Sequence, residues 1–328
     1  MKKVLSFFLL LMLTLGLLAG CGSDSPESEK EPESTDESTG QTEAEESAFP
    51  LTVTDALDHD MTIDEKPERI VSLIPSNTEI AFALGLGEEI VGVSDHDNYP
   101  EAVEKKERVG GLELNVEVIL SLEPDLVLAH ASSAHNSEKA LQQIRDAGID
   151  VYVVHDAQQI TEAYESVEQI GQVTGTQDKA EDIVSNMKEE FAALREKTKA
   201  ISDDERKSVF FEVSPAPELF TAGKNTFFDD LLQVINADNA AKEQDGWVQM
   251  DPEAIVQLNP DVIITTYGDY EDDPAAQVLK RDGWKDMTAV EKEQVYDVPS
   301  DIVSRPGPRL AEGAKEIAKV VYPEIFDE

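Results

Sequence analysis

The sequence predicts an α/β protein of two lobes, each built on a central, mostly parallel sheet, with one long helix joining them. Three observations predict it. Two separate series of short apolar runs alternate with helical stretches; a segment of 25 residues without glycine or proline, Gln177 to Ile201, lies between the series; and one twelve-residue phrase is written twice, EVILSLEPDLVL at 117–128 and EAIVQLNPDVII at 253–264. Short apolar runs alternating with helices imply parallel strands covered on both faces. The length that remains after the N-terminal region is enough to bury two cores.

In chain order, Lys2 and Lys3 precede a 15-residue apolar run from Val4 to Leu18, too short to span a bilayer that takes about 20 helical residues. It reads as a signal peptide over 1–20. Leu18-Ala19-Gly20-Cys21 is similar to the lipobox of bacterial lipoproteins, which implies cleavage before Cys21, its acylation, and anchoring to the outer face of the cell membrane. Residues 22–47 hold ten acids, one lysine and no large apolar side chain, too little apolar surface to offset chain entropy. Residues 21–48 therefore read as a lipidated cysteine with a disordered acidic tether, of roughly 30 Å end to end.

The N-terminal lobe, 49–176, opens with an alternating stretch, LTVTDALDHDMTI (51–63), as a hairpin would. The apolar runs IVSLI (70–74), IVGV (90–93), LVLA (126–129) and VYVV (151–154) follow as strands. Ser76-Asn77-Thr78-Glu79 matches a capping box, opening a helix at the carboxyl end of the first of these strands. That is the edge where open α/β sheets bind ligands, although the motif is equally a plain helix start. The interlobe helix, 177–202, sets Ala180, Ile183, Val184, Met187, Phe191 and Leu194 on one face. At 1.5 Å per residue it would run roughly 35 Å, as a strut between lobes or as an ordinary surface helix. The C-terminal lobe, 203–328, supplies SVFFEV (208–213), VIIT (262–265) and VYDV (295–298).

The two copies of the phrase agree at Glu117 and Glu253, Ile119 and Ile255, Leu122 and Leu258, Pro124 and Pro260, and Asp125 and Asp261. In each, glutamate sits in a first helical turn, where exposed amide dipoles favour it, and Pro-Asp turns the chain into a buried strand. A common structural joint accounts for the motif; so does an exposed carboxylate presented at an equivalent place on each lobe.

IVSLIPSNTEIAFALGL (70–86), IVGVSDHDNYPEAV (90–103), NVEVILSLEPDLVLA (115–129), GWVQMDPEAIVQLNPDVIIT (246–265) and SRPGPRL (304–310) together resemble the cobalamin-binding proteins of bacterial ABC importers. More broadly, residues 50–328 resemble the iron-siderophore, haem and cobalamin class of substrate-binding lipoproteins. The resemblance implies two Rossmann-like lobes on a helical backbone and a monomer that captures cobalamin, or alternatively an iron siderophore or haem, and delivers it to the permease dimer. It implies a cleft lined by Asn77, His96 and Tyr99 from the first lobe and Phe220, Trp247, Asp301 and Arg305 from the second. It also implies that Glu117 and Glu253 dock on the permease. Trp247 lies between Gly246 and Val248, outside any periodic apolar run, so it fits an aromatic cleft wall or a core plug; Arg305 fits a ligand clamp or a salt bridge. The chain departs from the pattern at Gly111-Leu112, where an aromatic is expected, at His96 in place of a tyrosine, and at Ile302 and Val303 in place of aromatics.

Other functions fit poorly. Once the tether's −9 and the two N-terminal lysines are set aside, the net charge of −42 leaves −35 for residues 48–328, against nucleic-acid binding. The five histidines, 59, 96, 130, 135 and 155, all precede the strut, so a free zinc or manganese ion would lack imidazoles from both lobes. No metal site and no cofactor are expected. Ser185-Asn186-Met187-Lys188 matches S-x-x-K only in the middle of the strut, and Glu218 stands where a phosphate loop needs its first glycine. An anchored enzyme and an adhesive scaffold are thus the weaker readings, and no catalytic residue is expected.

Overall fold

The computed structural model describes residues 48–326; the signal segment, Cys21 and the tether through residue 47 lie outside the described residues. Strands β1 (Leu51–Thr54) and β2 (Asp60–Ile63) form the expected antiparallel hairpin, with Leu51 opposite Ile63. Asp55 closes its turn by accepting from the amides of Leu57 and His59 at 2.8 and 3.0 Å.

The first sheet then assembles from β3 (Ile70–Ser72), β4 (Ile90–Val93), β5 (Glu107–Arg108), β6 (Leu126–His130) and β7 (Asp150–Val154), all parallel in the order β5-β4-β3-β6-β7. Every residue of β3 and β6 is buried, as unbroken apolar runs require when helices cover both faces. Between the strands lie α1 (Pro75–Ala83), α2 (Val116–Ser121), α3 (Ala131–Ala134) and α4 (Glu138–Asp146).

Two helices carry the chain out of this lobe, α5 (Ile160–Val173) and α6 (Gln177–Thr198). The apolar face of α6 is shared: Ala180, Val184 and Met187 pack with Ile70 and Leu126 in the first core, while Phe191 and Leu194 pack with Phe211 and Leu231 in the second. The 22-residue helix, about 33 Å long at 1.5 Å per residue, is therefore a strut rooted in both lobes. It is not alone. Val167 and Ile170 of α5 belong to the first core, whereas Ile160 and Ala163 belong to the second.

The second sheet comprises β8 (Ser208–Glu212), β10 (Asp238–Asn239), β12 (Val262–Thr265) and β13 (Val295–Asp297), parallel in the order β10-β8-β12-β13. A short antiparallel ribbon, β9 (Phe220–Ala222) with β11 (Trp247–Gln249), stands beside it. The helices of this lobe are α7 (Phe227–Val234), α8 (Pro252–Leu258), α9 (Pro274–Leu279), α10 (Thr288–Glu291), α11 (Ser300–Ser304), α12 (Leu310–Val321) and α13 (Pro323–Phe326). Setting β8 on β3, β10 on β4, β12 on β6 and β13 on β7 gives the same strand order, second-first-third-fourth, in both lobes.

The repeated phrase falls at matching joints. Helices α2 and α8 each lead into the third strand of their sheet, with Ile119 and Ile255 fully buried. Each then ends at a left-handed residue, Glu123 (φ 47°) or Asn259 (φ 46°), followed by proline. Oδ2 of Asp125 accepts from the amides of Glu68 and Arg69, both at 2.9 Å; Oδ2 of Asp261 accepts from the amide of Ser208 at 3.0 Å. In both lobes the aspartate pins the start of the third strand to the start of the first.

Candidate functional site

The carboxyl ends of both sheets open into one interlobe cleft with a cavity of about 440 Å³. Its first wall carries Ile74, Pro75 and Ser76 beyond β3, His130 at the end of β6, and Asp156 and Gln158 beyond β7; its second carries Val213 beyond β8, Thr266 and Tyr270 beyond β12, and Ser300 beyond β13. Converging strand ends are where α/β sheets place ligands. Two other cavities, of about 510 and 570 Å³, lie at the amino edge of the first sheet, next to Asp150 and the hairpin or the segment that follows it. They gather side chains from one lobe only and lack aromatic walls.

The aromatic wall centres on Trp247, at the start of β11 and 38% exposed. Phe227 and Phe228 hold the indole at centroid distances of 5.4 and 5.3 Å in tilted and edge-on geometry. Its Nε1–H donates across the cleft to Oε1 of Gln158 at 3.0 Å, and Gln158 Nε2 donates to Oδ2 of Asp156 at 2.9 Å. The backbone that carries Gln158 is fixed as well, because its main-chain N–H donates to the Glu162 carboxylate that caps α5. The ring therefore presents an oriented face instead of a mobile one.

His130 forms part of the polar floor. It caps α3, its Nδ1 accepting from the Ser132 amide at 3.3 Å and lying 2.8 Å from the Ser132 hydroxyl. Burial pushes its pKa below the ordinary histidine value, with the nearby Asp156 carboxylate opposing. An imidazole that accepts at Nδ1 and stays neutral carries its proton on Nε2, so it acts there as a donor.

At one end of the cleft the lobes are tied by charge. Glu79 of α1, 4% exposed, accepts from Arg305 Nη1 at 2.8 Å and from Arg309 Nε and Nη2 at 2.8 and 2.7 Å. Arg305 also donates to Oδ1 of Asn98 at 2.8 Å and lies 2.6 Å from Asp301, whose other oxygen accepts from Asn98 at 2.6 Å. The Arg309 guanidinium rests 3.8 Å above the ring of Tyr99. The capping box expected at Ser76-Asn77-Thr78-Glu79 does not form: α1 starts at Pro75 with Ile74 as its cap, and Glu79 turns to the other lobe instead.

Of the seven side chains expected to face the ligand, Trp247 and Arg305 line the cavity. Tyr99 and Asp301 belong to the charged tie. Asn77 is buried, its Nδ2 donating to the Ala129 carbonyl at 3.0 Å, which fixes α1 on β6. His96 is exposed on the loop after β4, beside Gly111. Phe220 is half-buried in the ribbon, paired with Gln249. Neither Asn77, His96 nor Phe220 is among the cavity's lining residues. His130, Asp156 and Tyr270 were missed, although His130 directly follows the apolar run LVLA and Asp156 lies just beyond VYVV, at strand ends the sequence does mark. Glu117 and Glu253 are exposed in the first turns of α2 and α8 and form no ion pair among the described residues.

Comparison with known proteins agrees with this architecture. Residues 70–302 match the periplasmic binding protein family. The chain is 48% identical to the uncharacterized ABC transporter substrate-binding lipoprotein YvrC of Bacillus subtilis over the whole length of both chains. It is 29% identical to a cobalamin-binding protein of Halobacterium salinarum over 84% of this chain and 75% of that one. Among solved structures it resembles a possible iron-binding (periplasmic solute-binding) protein from Staphylococcus epidermidis, with a TM-score of 0.72 and 39% identity over 79% of this chain and all of that one.

Proposed function

Because the chain belongs to the periplasmic binding protein family, we propose that it captures cobalamin in the interlobe cleft and hands it to the permease of an ABC importer. It is a substrate-binding protein of an ABC transporter and not an enzyme. The observation that carries the ligand reading is the oriented wall of Trp247, Phe227 and Phe228 facing a polar floor of His130, Ser132 and Asp156. A macrocycle with an extended flat face and amide edges matches apolar contact on one side and hydrogen-bonding groups on the other. The cobalamin-binding relative in Halobacterium salinarum supports the same ligand. The 39% identity to the Staphylococcus epidermidis protein favours, as a second reading, an iron chelate in the same cleft.

Mechanistically, a corrinoid exceeds the drug-sized ligands that fill cavities of about 300–1,000 Å³, so the tied lobes must part to admit it into a cleft of about 440 Å³. Two helices rooted in both cores limit that parting to a small rotation. After capture, Glu117 and Glu253 present one carboxylate from each lobe to a two-fold permease. Cys21, acylated after signal cleavage, would hold the receptor, a monomer, at the membrane's outer face; the full-length likeness to a substrate-binding lipoprotein supports the lipid anchor.

Isothermal titration of residues 48–328 with cyanocobalamin tests the ligand. The expected result is one saturable site, weakened by about 1–3 kcal/mol in Trp247→Ala through loss of ring contact. Absence of heat with cyanocobalamin, together with binding of a ferric siderophore, would transfer the receptor to the second reading.

A further inference from the structure

Arg305 is the one guanidinium or ammonium group among the described residues lining the cleft, and Arg309 stands next to it. Both are held by Glu79, which reaches them from the opposite lobe, and Asp301 takes a further contact with Arg305. Two acids thus offset two arginines, leaving Asp156 as the unbalanced charge on the cleft wall. A chelate bearing carboxylates would have to shed water without meeting any net positive charge.

Within its own lobe Glu79 has no role that needs a carboxylate; among the described residues its carboxylate's only partners are the two arginines across the cleft. It does not cap its own helix, and α1 is anchored by Ile80, Ala81 and Leu84, all fully buried. A buried ion cluster is often no more stable than a well-packed neutral replacement, so stability alone does not call for a carboxylate here. Its distinctive effect is on the arginines: it fills the Nε/Nη2 edge of Arg309 and takes Nη1 of Arg305, while Asp301 holds Nη2, so neither guanidinium keeps a free pair of donors for bidentate contact with an anion.

We infer that Glu79 is a specificity-determining residue that, by occupying Arg305 and Arg309, excludes anionic metal chelates from the cleft and leaves it to neutral ones. The inference rests on the chain being a chelate receptor, but not on the ligand being cobalamin.

The experiment compares association constants for ferric citrate, an anionic chelate, and cyanocobalamin, a neutral one, by calorimetry on residues 48–328. In Glu79→Gln the ratio of ferric citrate to cyanocobalamin binding should rise by about tenfold or more, since freed guanidinium donors form strong charge-assisted bonds, and the gain should shrink in high salt. Asp301→Asn, which relieves Arg305 at a less buried position, should raise the ratio in the same direction by a smaller factor and serves if Glu79→Gln does not fold. Arg309→Gln cuts the interlobe tie without freeing a cation and should give no rise. An unchanged ratio in both acid variants would overturn the inference, as would an equal rise in Arg309→Gln, which would trace the effect to loosened lobes. Tighter binding of ferric citrate than of cyanocobalamin by the unsubstituted protein would also overturn it while leaving the receptor reading intact. If cyanocobalamin binds to none of the proteins, the cobalamin reading fails by itself, and appearance or absence of ferric citrate binding in the acid variants still decides the role of Glu79.

Discussion

Asp97 shows how a single side chain near the tie carries a cost. It is 3% exposed; Oδ2 accepts from the Ser94 amide at 2.8 Å and hydroxyl at 2.6 Å, while Oδ1 has no partner among the described residues. Burial pushes its pKa above the model-compound value of 3.8, with the Ser94 hydrogen bonds and the nearby Arg305 charge pulling down. A carboxyl whose folded pKa is raised holds its proton more firmly when folded, so its contribution to stability declines as pH rises from 3.8 through the folded value and stays low above it. Asp97→Asn should therefore raise Tm at pH 7 and remove the decline in stability between pH 3.8 and the folded value. Calorimetric melting at several pH values checks this; a lower Tm at pH 7 would mean that the ionised form is needed by Arg305. Residues of this kind show the limit of sequence reading. Trp247 was legible because its surroundings are local, a glycine-flanked indole outside any apolar period. Glu79 was not: its spacing from Ser76 suggests a local cap, whereas its partners stand 226 and 230 positions away.

Among elements, the central strands were legible because burial on both faces writes itself as uninterrupted Ile, Val and Leu. Strands β5 (Glu107–Arg108) and β10 (Asp238–Asn239) were not, since two polar residues at a sheet edge carry no apolar period. The duplicated joint separates architecture from function. Asp125 and Asp261 each satisfy strand-start amides, and leaving such donors unpaired costs about 1–3 kcal/mol where they are buried. Asp261→Ala, whose bond is half-buried, should lower stability by up to about that amount in urea melts; Asp125→Ala should cost less per amide, because water can replace its two exposed bonds. The glutamates of the same phrase pin nothing within the chain. Glu117→Arg with Glu253→Arg should lower Tm slightly, through the lost helix-dipole contacts, and leave ligand affinity unchanged while abolishing uptake in cells; loss of ligand binding in the purified double variant would make the pair architectural.

At the scale of the whole molecule, two similar half-folds share their cores through α5 and α6 and are tied again across the cleft by Glu79 with Arg305 and Arg309, and by Trp247 with Gln158. The strut was visible as a long amphipathic period; the second spanning helix was not, because α5 has an ordinary length and only tertiary packing divides its apolar face between two cores. In such a clasp a ligand held in the proposed cleft would touch strand ends from both sheets at once. Hydrogen exchange of residues 48–328 with and without cyanocobalamin measures this most directly. The account predicts slowed exchange in segments of both walls together, around 130–132 and 156–158 on one side and 246–249 and 266–270 on the other. Protection confined to one lobe, or concentrated at the hairpin edge around 58–61 and 145–151, would contradict it.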